Sequence, residues 1–161
     1  MIATLPNVQT SFAADHDRLD ELFVQFQKIK RSDYAKAREF FKQFKFGLQR
    51  HIVWEESILF PLFEKKTGLF QTGPTEVMRQ EHRHVGELLE AVHQKVQQQD
   101  PNSDTEERAL LEALAVHNQK EERVLYPMLD RLTSEEERAE AFEAMERVPE
   151  DAYKVCCGKK Q

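Results

Sequence analysis

Two His-x-x-x-Glu patterns are the part of this chain best suited to chemistry. His51 and Glu55 are four residues apart, as are His117 and Glu121. On a helix this spacing places both side chains of a pair on one face, one turn from each other. Imidazole is a good ligand for Fe, Zn, Cu or Ni, and a carboxylate can bridge two cations. One such pattern is weak evidence for a metal site, but two matched patterns are much stronger evidence.

The two patterns belong to a repeat that runs through the chain at a constant offset of 66 residues. The segment 51–56 recurs at 117–122, and the same offset relates two further sets: Asp15-His16 to Glu81-His82, and Pro61 to Pro127. Packing alone would repeat Leu rather than His and Glu. The repeat therefore predicts a two-metal site on a pseudo-twofold axis. The predicted ligands are His16, His51, Glu55, His82, His117 and Glu121.

A non-metal interpretation is available for each histidine taken singly, since a lone His on an apolar helix face is usually a hydrogen-bonded residue at the edge of the core. It fails for the whole set, because two carboxylates would then be buried without counter-charge, at a cost of at least several kcal/mol. Metal cations would remove that cost. Two further histidines are expected to lie outside the site: His84 is predicted to face solvent, and His93 to be structural.

Four acidic residues flank the predicted ligands. Asp15 and Glu81, which precede histidines, are interpreted as surface charges. Glu56 and Glu122 follow the ligand glutamates and are rotated away from them. They are expected to be solvated or to hold a neighbouring helix, or alternatively to accept an imidazole N–H from outside the ligand set.

Helical periodicity dominates the sequence and predicts an all-α fold. Four long helices are expected over about 8–31, 33–68, 75–98 and 104–132, followed by a shorter fifth helix over about 134–147. Their short connections favour an up-down-up-down antiparallel four-helix bundle. Pro61 and Pro127 fall within helical patterns and should kink or loosen their helices.

In such a bundle the six predicted ligands fall within roughly one or two helical turns of one level, in one half of the molecule. Because they lie at one level, the six groups can reach one another across the bundle.

We assign residues 1–149 to one domain, with its bundle core at about 8–132. Residues 150–161 are assigned to a loosely held C-terminal tail.

The bulk properties narrow the class of protein. A chain of 161 residues, with 40% hydrophobic and 32% charged residues, suits one soluble helix-rich domain. The net charge of −6 argues against nucleic acid or an anionic membrane as a main partner. No stretch approaches the ~20 apolar residues of a membrane span.

Cys156 and Cys157 are neighbours that cannot link distant elements through a disulfide, so we interpret them as a free exposed pair. Without an evident export signal, the expected location is cytoplasmic.

The chain resembles the hemerythrin-like family of non-heme diiron proteins from about Val8 to Leu132. The segments 51–61 and 117–127 are similar to its recurrent H-x-x-x-E-E-x-x-L-F/Y-P phrase. The resemblance implies two iron ions in a four-helix bundle, often with an oxo or hydroxo bridge. It further implies that Glu55 and Glu121 bridge the irons and that the four histidines are terminal ligands.

Two features depart from the oxygen-carrying members of that family. Met78 stands where they have the first histidine of a His-x-x-x-His pair, and a thioether is a poor ligand for iron of this type. Glu121 lies four residues after His117, where those members have Asp at five, the position of Glu122 here. The site would then be nearly symmetric, with two histidines per iron and an open position on each. Open positions on both irons disfavour simple reversible O₂ carriage. Alternatively, a water or a shifted carboxylate such as Glu81 could fill the open position.

Three functions stay open from the sequence. The preferred one is a diiron protein that binds or senses O₂, NO or iron itself, because the ligand set is complete and no organic-substrate motif is evident. The second is a diiron redox enzyme that acts on peroxide or nitric oxide. The third is a metal-dependent regulatory module that docks an unknown protein partner. Mn, Zn or mixed occupancy would use the same ligands.

Overall fold

The computed structural model describes residues 6–154 and shows an all-α fold, with no strand among those residues. The helices are α1 (Val8–Ile29), α2 (Tyr34–Trp54), α3 (Phe60–Thr67), α4 (Pro74–Gln97), α5 (Asp104–Lys120), α6 (Tyr126–Leu132) and α7 (Glu135–Arg147). A π-helical turn joins α2 to α3, and another joins α5 to α6, so each pair forms one long arm. With α1 and α4 these arms make the predicted four-helix bundle, and α7 is the predicted fifth helix.

The helix boundaries follow from local capping. The side chains of Asn7 and Asp33 accept hydrogen bonds from backbone N–H groups of α1 and α2. Gly68 ends α3 in the left-handed conformation, at a φ of 74°. At the start of α7, Ser134 and Glu137 form a reciprocal capping box. Each of these ends was expected from the sequence.

The loosening expected at the two prolines takes the form of the π-helical turns, Glu55–Leu59 and Glu121–Leu125. Pro61 and Pro127 each lie in the first turn of the helix that follows. In both places the N–H group before the proline donates to the carbonyl of the predicted ligand glutamate, five residues back. A proline lacks an N–H and crowds the preceding turn, so a widened turn lets the arm continue.

The apolar core forms two separate clusters, one in each half of the bundle. The predicted metal residues lie in a layer between them. Along α1, His16 lies between Phe12 of one cluster and Leu19 of the other. Along α4, His82 lies between Met78 and Val85 in the same way. The layer is therefore covered by apolar side chains above and below.

Residues 150–153 differ from the expected loosely held tail. They form a 3₁₀ turn, and Tyr153 is only 4% exposed. The indole Nε1 of Trp54 donates to the Tyr153 hydroxyl at 2.6 Å, and the two rings meet edge to face. An aromatic partner on α2 thus holds this segment against the bundle. The expectation for Cys156 and Cys157 falls outside the described residues.

Within residues 6–154, no helix combines the length and the apolar character that crossing a bilayer would require.

Candidate metal centre

All six predicted ligands meet in the layer between the two apolar clusters. Each is at most 5% exposed: His16 4%, His51 2%, Glu55 0%, His82 5%, His117 4% and Glu121 0%. Their donor atoms form two groups in which every atom lies within 4.8 Å of the others. One group contains Glu55, His82, His117 and Glu121, and the other contains His16, His51 and Glu121. The sequence repeat therefore corresponds to a compact cluster of side chains.

The two glutamates lie between the two histidine pairs. Oε1 of Glu121 is 3.2 Å from Nε2 of His16 and 3.3 Å from Nε2 of His117. Oε1 of Glu55 is 3.2 Å from Nε2 of His82 and 3.6 Å from Nε2 of His51. Each carboxylate thus faces one histidine of the His16 and His51 pair and one histidine of the His82 and His117 pair. A carboxylate in this position is suited to bridge two cations.

Several buried polar atoms of the layer have no hydrogen-bond partner among the described residues. They include Oε1 of Glu55, Oε2 of Glu121 and Nε2 of His82. Leaving such an atom unsatisfied costs about 1–3 kcal/mol each, and more for a charged group. Cations would satisfy all of them, and a set of imidazole and carboxylate donors suits iron. The residues of the layer therefore fit a pair of metal ions.

The electrostatics of the layer also favour positive charge. Burial raises the pKa of the Glu55 carboxyl well above its ordinary value, and the negative charge of Glu121 adds to that shift. Burial lowers the pKa of His51, which favours the neutral imidazole that a metal requires. For His16, burial lowers the pKa, but hydrogen bonding to Glu121 and its charge outweigh burial, so the net shift is upward. At Glu121 burial raises the pKa, but hydrogen bonds from Glu55, His117 and His16 outweigh it, so the net shift is well downward. The pKa values of the two carboxyl groups thus move apart, and bound cations would stabilise both in the ionised form.

Each imidazole contacts a further carboxylate through its other ring nitrogen. The Nδ1 contacts are His16 to Glu122 at 2.9 Å, His51 to Asp15 at 2.8 Å, His82 to Glu56 at 2.6 Å and His117 to Glu81 at 2.9 Å. When Nδ1–H donates to a carboxylate, Nε2 is left as the acceptor that faces the centre of the layer. The four contacts thus leave Nε2 of each imidazole facing Glu55 or Glu121.

These contacts correct part of the sequence interpretation. Asp15 and Glu81 are not surface charges: they are 15% and 26% exposed, and each accepts from a histidine. Glu56 and Glu122 follow the second of the two alternatives, since each accepts an imidazole N–H. Both pairs are 66 residues apart, so the repeat carried a signal for them. The contacts themselves join different helices, which helical periodicity does not reveal.

The outer carboxylates, which contact the imidazoles through Nδ1, are those of Asp15, Glu56, Glu81 and Glu122. Basic side chains donate hydrogen bonds to two of them. Arg18 donates to Asp15 from Nε at 3.0 Å and from Nη2 at 2.8 Å. Burial raises the pKa of Asp15, but hydrogen bonds and charge from His51 and Arg18 outweigh it, so the net value is about 2. Lys120 donates to Glu81 at 2.5 Å. These two carboxylates are thereby kept ionised beside their histidines.

Tyr126 also belongs to the layer, and the sequence interpretation missed it. It is 0% exposed. Its hydroxyl oxygen contacts four predicted ligand atoms: Glu55 Oε2 at 2.7 Å, Glu121 Oε1 at 2.9 Å, His51 Nε2 at 3.1 Å and His16 Nε2 at 3.4 Å. Its only trace in the sequence is the alternation between Phe60 and Tyr126 at equivalent positions of the repeat.

Comparison with known proteins places this geometry in a family. A sequence model described as the hemerythrin HHE cation binding domain matches residues 8–129. The chain belongs to this family. An uncharacterized hemerythrin-like protein of Schizosaccharomyces pombe is 31% identical over 144 residues, which cover 89% of this chain and 69% of that protein. No solved structure gives a significant match.

Two bacterial relatives in the comparison carry the name iron-sulfur cluster repair protein YtfE. The protein of an Enterobacter species is 32% identical over 131 residues, which are 70% of this chain and 60% of that protein. The protein of Edwardsiella ictaluri is 39% identical over 82 residues, 47% of this chain and 37% of its own length. The matches therefore span between about one third and two thirds of these two relatives.

Three other residues named from the sequence lie outside the group of six predicted ligands. Met78 is 4% exposed and packs in the apolar cluster that contains Phe60. Its thioether has no nitrogen or oxygen atom to offer the layer. His84 is 63% exposed, as expected. His93 stacks on Phe41 with ring centroids 6.2 Å apart, which agrees with a structural role.

Proposed function

We propose that this chain holds two iron ions in the layer and uses them to bind or sense a small ligand such as O₂ or NO, or iron itself. The observation that carries the proposal is the closed layer: six nitrogen and oxygen donors, none more than 5% exposed, lie between two apolar clusters. Family membership favours a cation in this place. Imidazole and carboxylate donors suit iron, and membership of the hemerythrin family favours iron over other cations that use the same donors.

The grouping of the donors suggests how two ions would be held. His82 and His117 would hold one ion, and His16 and His51 the other. Glu55 and Glu121, which face both pairs, would serve both ions. Iron bound there would supply reversible binding of a diatomic ligand and the electrons for its reduction.

The surroundings of the layer argue for a small ligand. Phe12 lies against His51 with ring centroids 4.8 Å apart, and Phe60 stacks on His82 at 5.7 Å. Such apolar walls exclude water and restrict what reaches a metal. A gas molecule, peroxide or a metal ion is small enough to enter without unpacking the bundle, whereas a larger organic substrate is not.

Metal analysis and spectroscopy test the proposal. The chain is loaded with ferrous ions anaerobically, its iron is counted, and visible spectra are recorded before and after O₂ or NO. We expect about two irons per chain and a spectral change with one of the gases. His82→Ala should lose iron, whereas His84→Ala, which changes an exposed histidine on the same helix, should keep it. A wild-type chain without iron would contradict the proposal. A loaded chain whose spectrum responds to neither gas would reject O₂ and NO as its ligands and leave the sensing of iron itself.

The named bacterial relatives favour a second candidate, a part in the repair of iron–sulfur clusters. A damaged iron–sulfur protein would be incubated with the iron-loaded chain, and recovery of its cluster absorbance followed. Faster recovery than with the His82→Ala chain would support this role. Equal recovery with both chains would reject it.

Stopped-flow mixing with peroxide or NO separates binding from catalysis. Multiple turnovers that vanish in His82→Ala would replace the first candidate with a redox enzyme. A single stoichiometric reaction would favour binding or sensing.

A further inference from the structure

Tyr126 breaks a symmetry that the rest of the centre follows. The six predicted ligands and the four outer carboxylates all occur in pairs 66 residues apart. The partner of Tyr126 in the repeat is Phe60, whose ring stacks on His82 with an interplanar angle of 12°. The two histidine pairs therefore have different surroundings. Beside His82 lies a ring without a hydroxyl, while a phenolic oxygen lies beside His16 and His51.

The hydroxyl of Tyr126 is surrounded by more nitrogen and oxygen atoms than its single proton can satisfy. His16 and His51, whose Nδ1 atoms contact carboxylates, both turn Nε2 toward the hydroxyl oxygen, at 3.4 and 3.1 Å. Glu55 and Glu121 add two carboxylate oxygens within 2.9 Å. Four predicted ligand atoms thus converge on one phenolic oxygen, which has a single O–H proton. A buried tyrosine normally needs one partner, and such a set of oxygen and nitrogen atoms is better suited to a cation.

Two of the atoms left without partners lie beside the other histidine pair. Nε2 of His82 and Oε1 of Glu55, which are 3.2 Å apart, both have no hydrogen-bond partner among the described residues. The hydroxyl of Tyr126 contacts the other oxygen of that carboxylate, Oε2. The phenol is therefore associated with the His16 and His51 pair rather than shared between both pairs.

We propose that the phenolic oxygen of Tyr126 is a ligand of the ion held by His16 and His51, and that the two iron positions differ for this reason. The inference rests on the proposed two-iron function. As the oxygen–iron bond forms, the phenolic O–H bond breaks and its proton leaves to bulk water. No oxidant or reductant is consumed. The ion held by His82 and His117 has no phenolic oxygen, because Phe60 occupies the matching position.

Resonance Raman spectroscopy of the ferric-loaded full chain tests the inference directly. We expect a visible charge-transfer band and phenolate ring modes in the wild type, both lost in Tyr126→Phe. Tyr34→Phe removes a hydroxyl from the opposite half of the bundle, where it contacts the Asp100 carbonyl, and should leave the spectrum unchanged. In a metal titration, Tyr126→Phe should weaken one of the two iron positions by at least roughly tenfold, the lower bound for loss of a group supporting a metal. The other position should keep its affinity within about twofold.

The double variant Phe60→Tyr with Tyr126→Phe moves the hydroxyl to the other histidine pair. Recovery of phenolate modes in that chain would support the assignment of the phenol to a ligand position. The wild-type spectrum decides the matter even if the variants fail to fold. A wild type that holds two irons but shows no phenolate modes would overturn the inference and leave the proposed function intact. A wild type that takes up no iron would overturn both.

Discussion

At the scale of single residues, the imidazoles of the centre act through both ring nitrogens. One nitrogen faces the layer and the other contacts a carboxylate on a different helix, as in the 2.6 Å contact between His82 and Glu56. This second contact fixes the tautomer and the ring plane, and it makes the other ring nitrogen a more basic ligand. The histidines are thus positioned by carboxylates that lie outside the predicted ligand set.

The first prediction concerns these outer carboxylates. Glu56→Gln and, by the repeat, Glu122→Gln should each weaken iron binding about 10- to 100-fold, because an amide polarises the imidazole less than a carboxylate does. Competition with a coloured iron chelator measures the loss. Glu87→Gln, at a 72% exposed position on the same helix as His82, is the matched control. Unchanged iron affinity in both Glu56→Gln and Glu122→Gln would show that the contacts are structural only.

Sequence alone was most informative where residues obey the repeat. The six donors that meet in the layer could be named because His and Glu recur at a fixed offset, which packing does not require. Asp15 and Glu81 were misjudged because their histidine partners lie on another helix. Tyr126 was missed because it departs from the repeat, so the argument that found its neighbours passed over it.

At the scale of helices and turns, the opposite half of the bundle carries its own polar contact. Lys30, which directly follows α1, is 4% exposed, and its Nζ lies 2.6 Å from Oε2 of Glu107 on α5. Glu107 is 1% exposed and also accepts from Gln27 at 3.1 Å. Lys30 also contacts the exposed carboxylate of Asp104. Because Glu107 is buried, its carboxylate does not tolerate the loss of the Lys30 cation. The pair therefore ties the end of α1 to α5.

The second prediction follows from that pair. Lys30→Met should lower the free energy of unfolding by about 3–5 kcal/mol, since it leaves the Glu107 carboxylate buried without its cation. Adding Glu107→Leu should restore most of the loss. Urea unfolding followed by circular dichroism measures both. The control Arg31→Met removes a 53% exposed charge next along the chain and should cost about 0–1 kcal/mol. A loss no larger than that of the control would contradict a role for the buried pair.

Elements were predictable from sequence to the extent that periodicity and caps define them. The long helices and the Ser134 capping box follow from local patterns. The π-helical turns are a different case: Pro61 and Pro127 predict a disturbance, but not that it widens the helix at Glu55 and Glu121. The docking of Tyr153 on Trp54 is a tertiary contact with no local pattern.

At the scale of the whole molecule, a polar layer separates two apolar clusters that could each hold the bundle together. The clusters bury large side chains that contribute roughly 1.5–3 kcal/mol each. The layer opposes them when no cation is bound, because Glu55 and Glu121 are both 0% exposed. Stability lost in the layer is offset by the clusters, so the metal-free chain should still fold.

The third prediction uses that opposition between stability and metal binding. In the metal-free state, Glu55→Gln with Glu121→Gln should be at least as stable as the wild type, because two neutral amides replace a buried pair of carboxyl groups that compete for protons. Ferrous ions should stabilise the wild type by about 2.7 kcal/mol at a free concentration 100 times Kd, because they bind only the folded chain. The double variant should gain almost nothing from iron.

Anaerobic urea unfolding of both chains, with and without ferrous ions, measures all four free energies. Glu87→Gln with Glu90→Gln, which changes one exposed and one half-buried carboxylate of α4 outside the layer, controls for the loss of charge itself and should respond to iron as the wild type does. A metal-free double variant much less stable than the wild type would show that the two carboxyl groups support the fold by themselves. Equal stabilisation of the wild type and the Glu55/Glu121 double variant by iron would place the iron elsewhere. With the expected result, the two glutamates are retained for the metal at the expense of the metal-free fold.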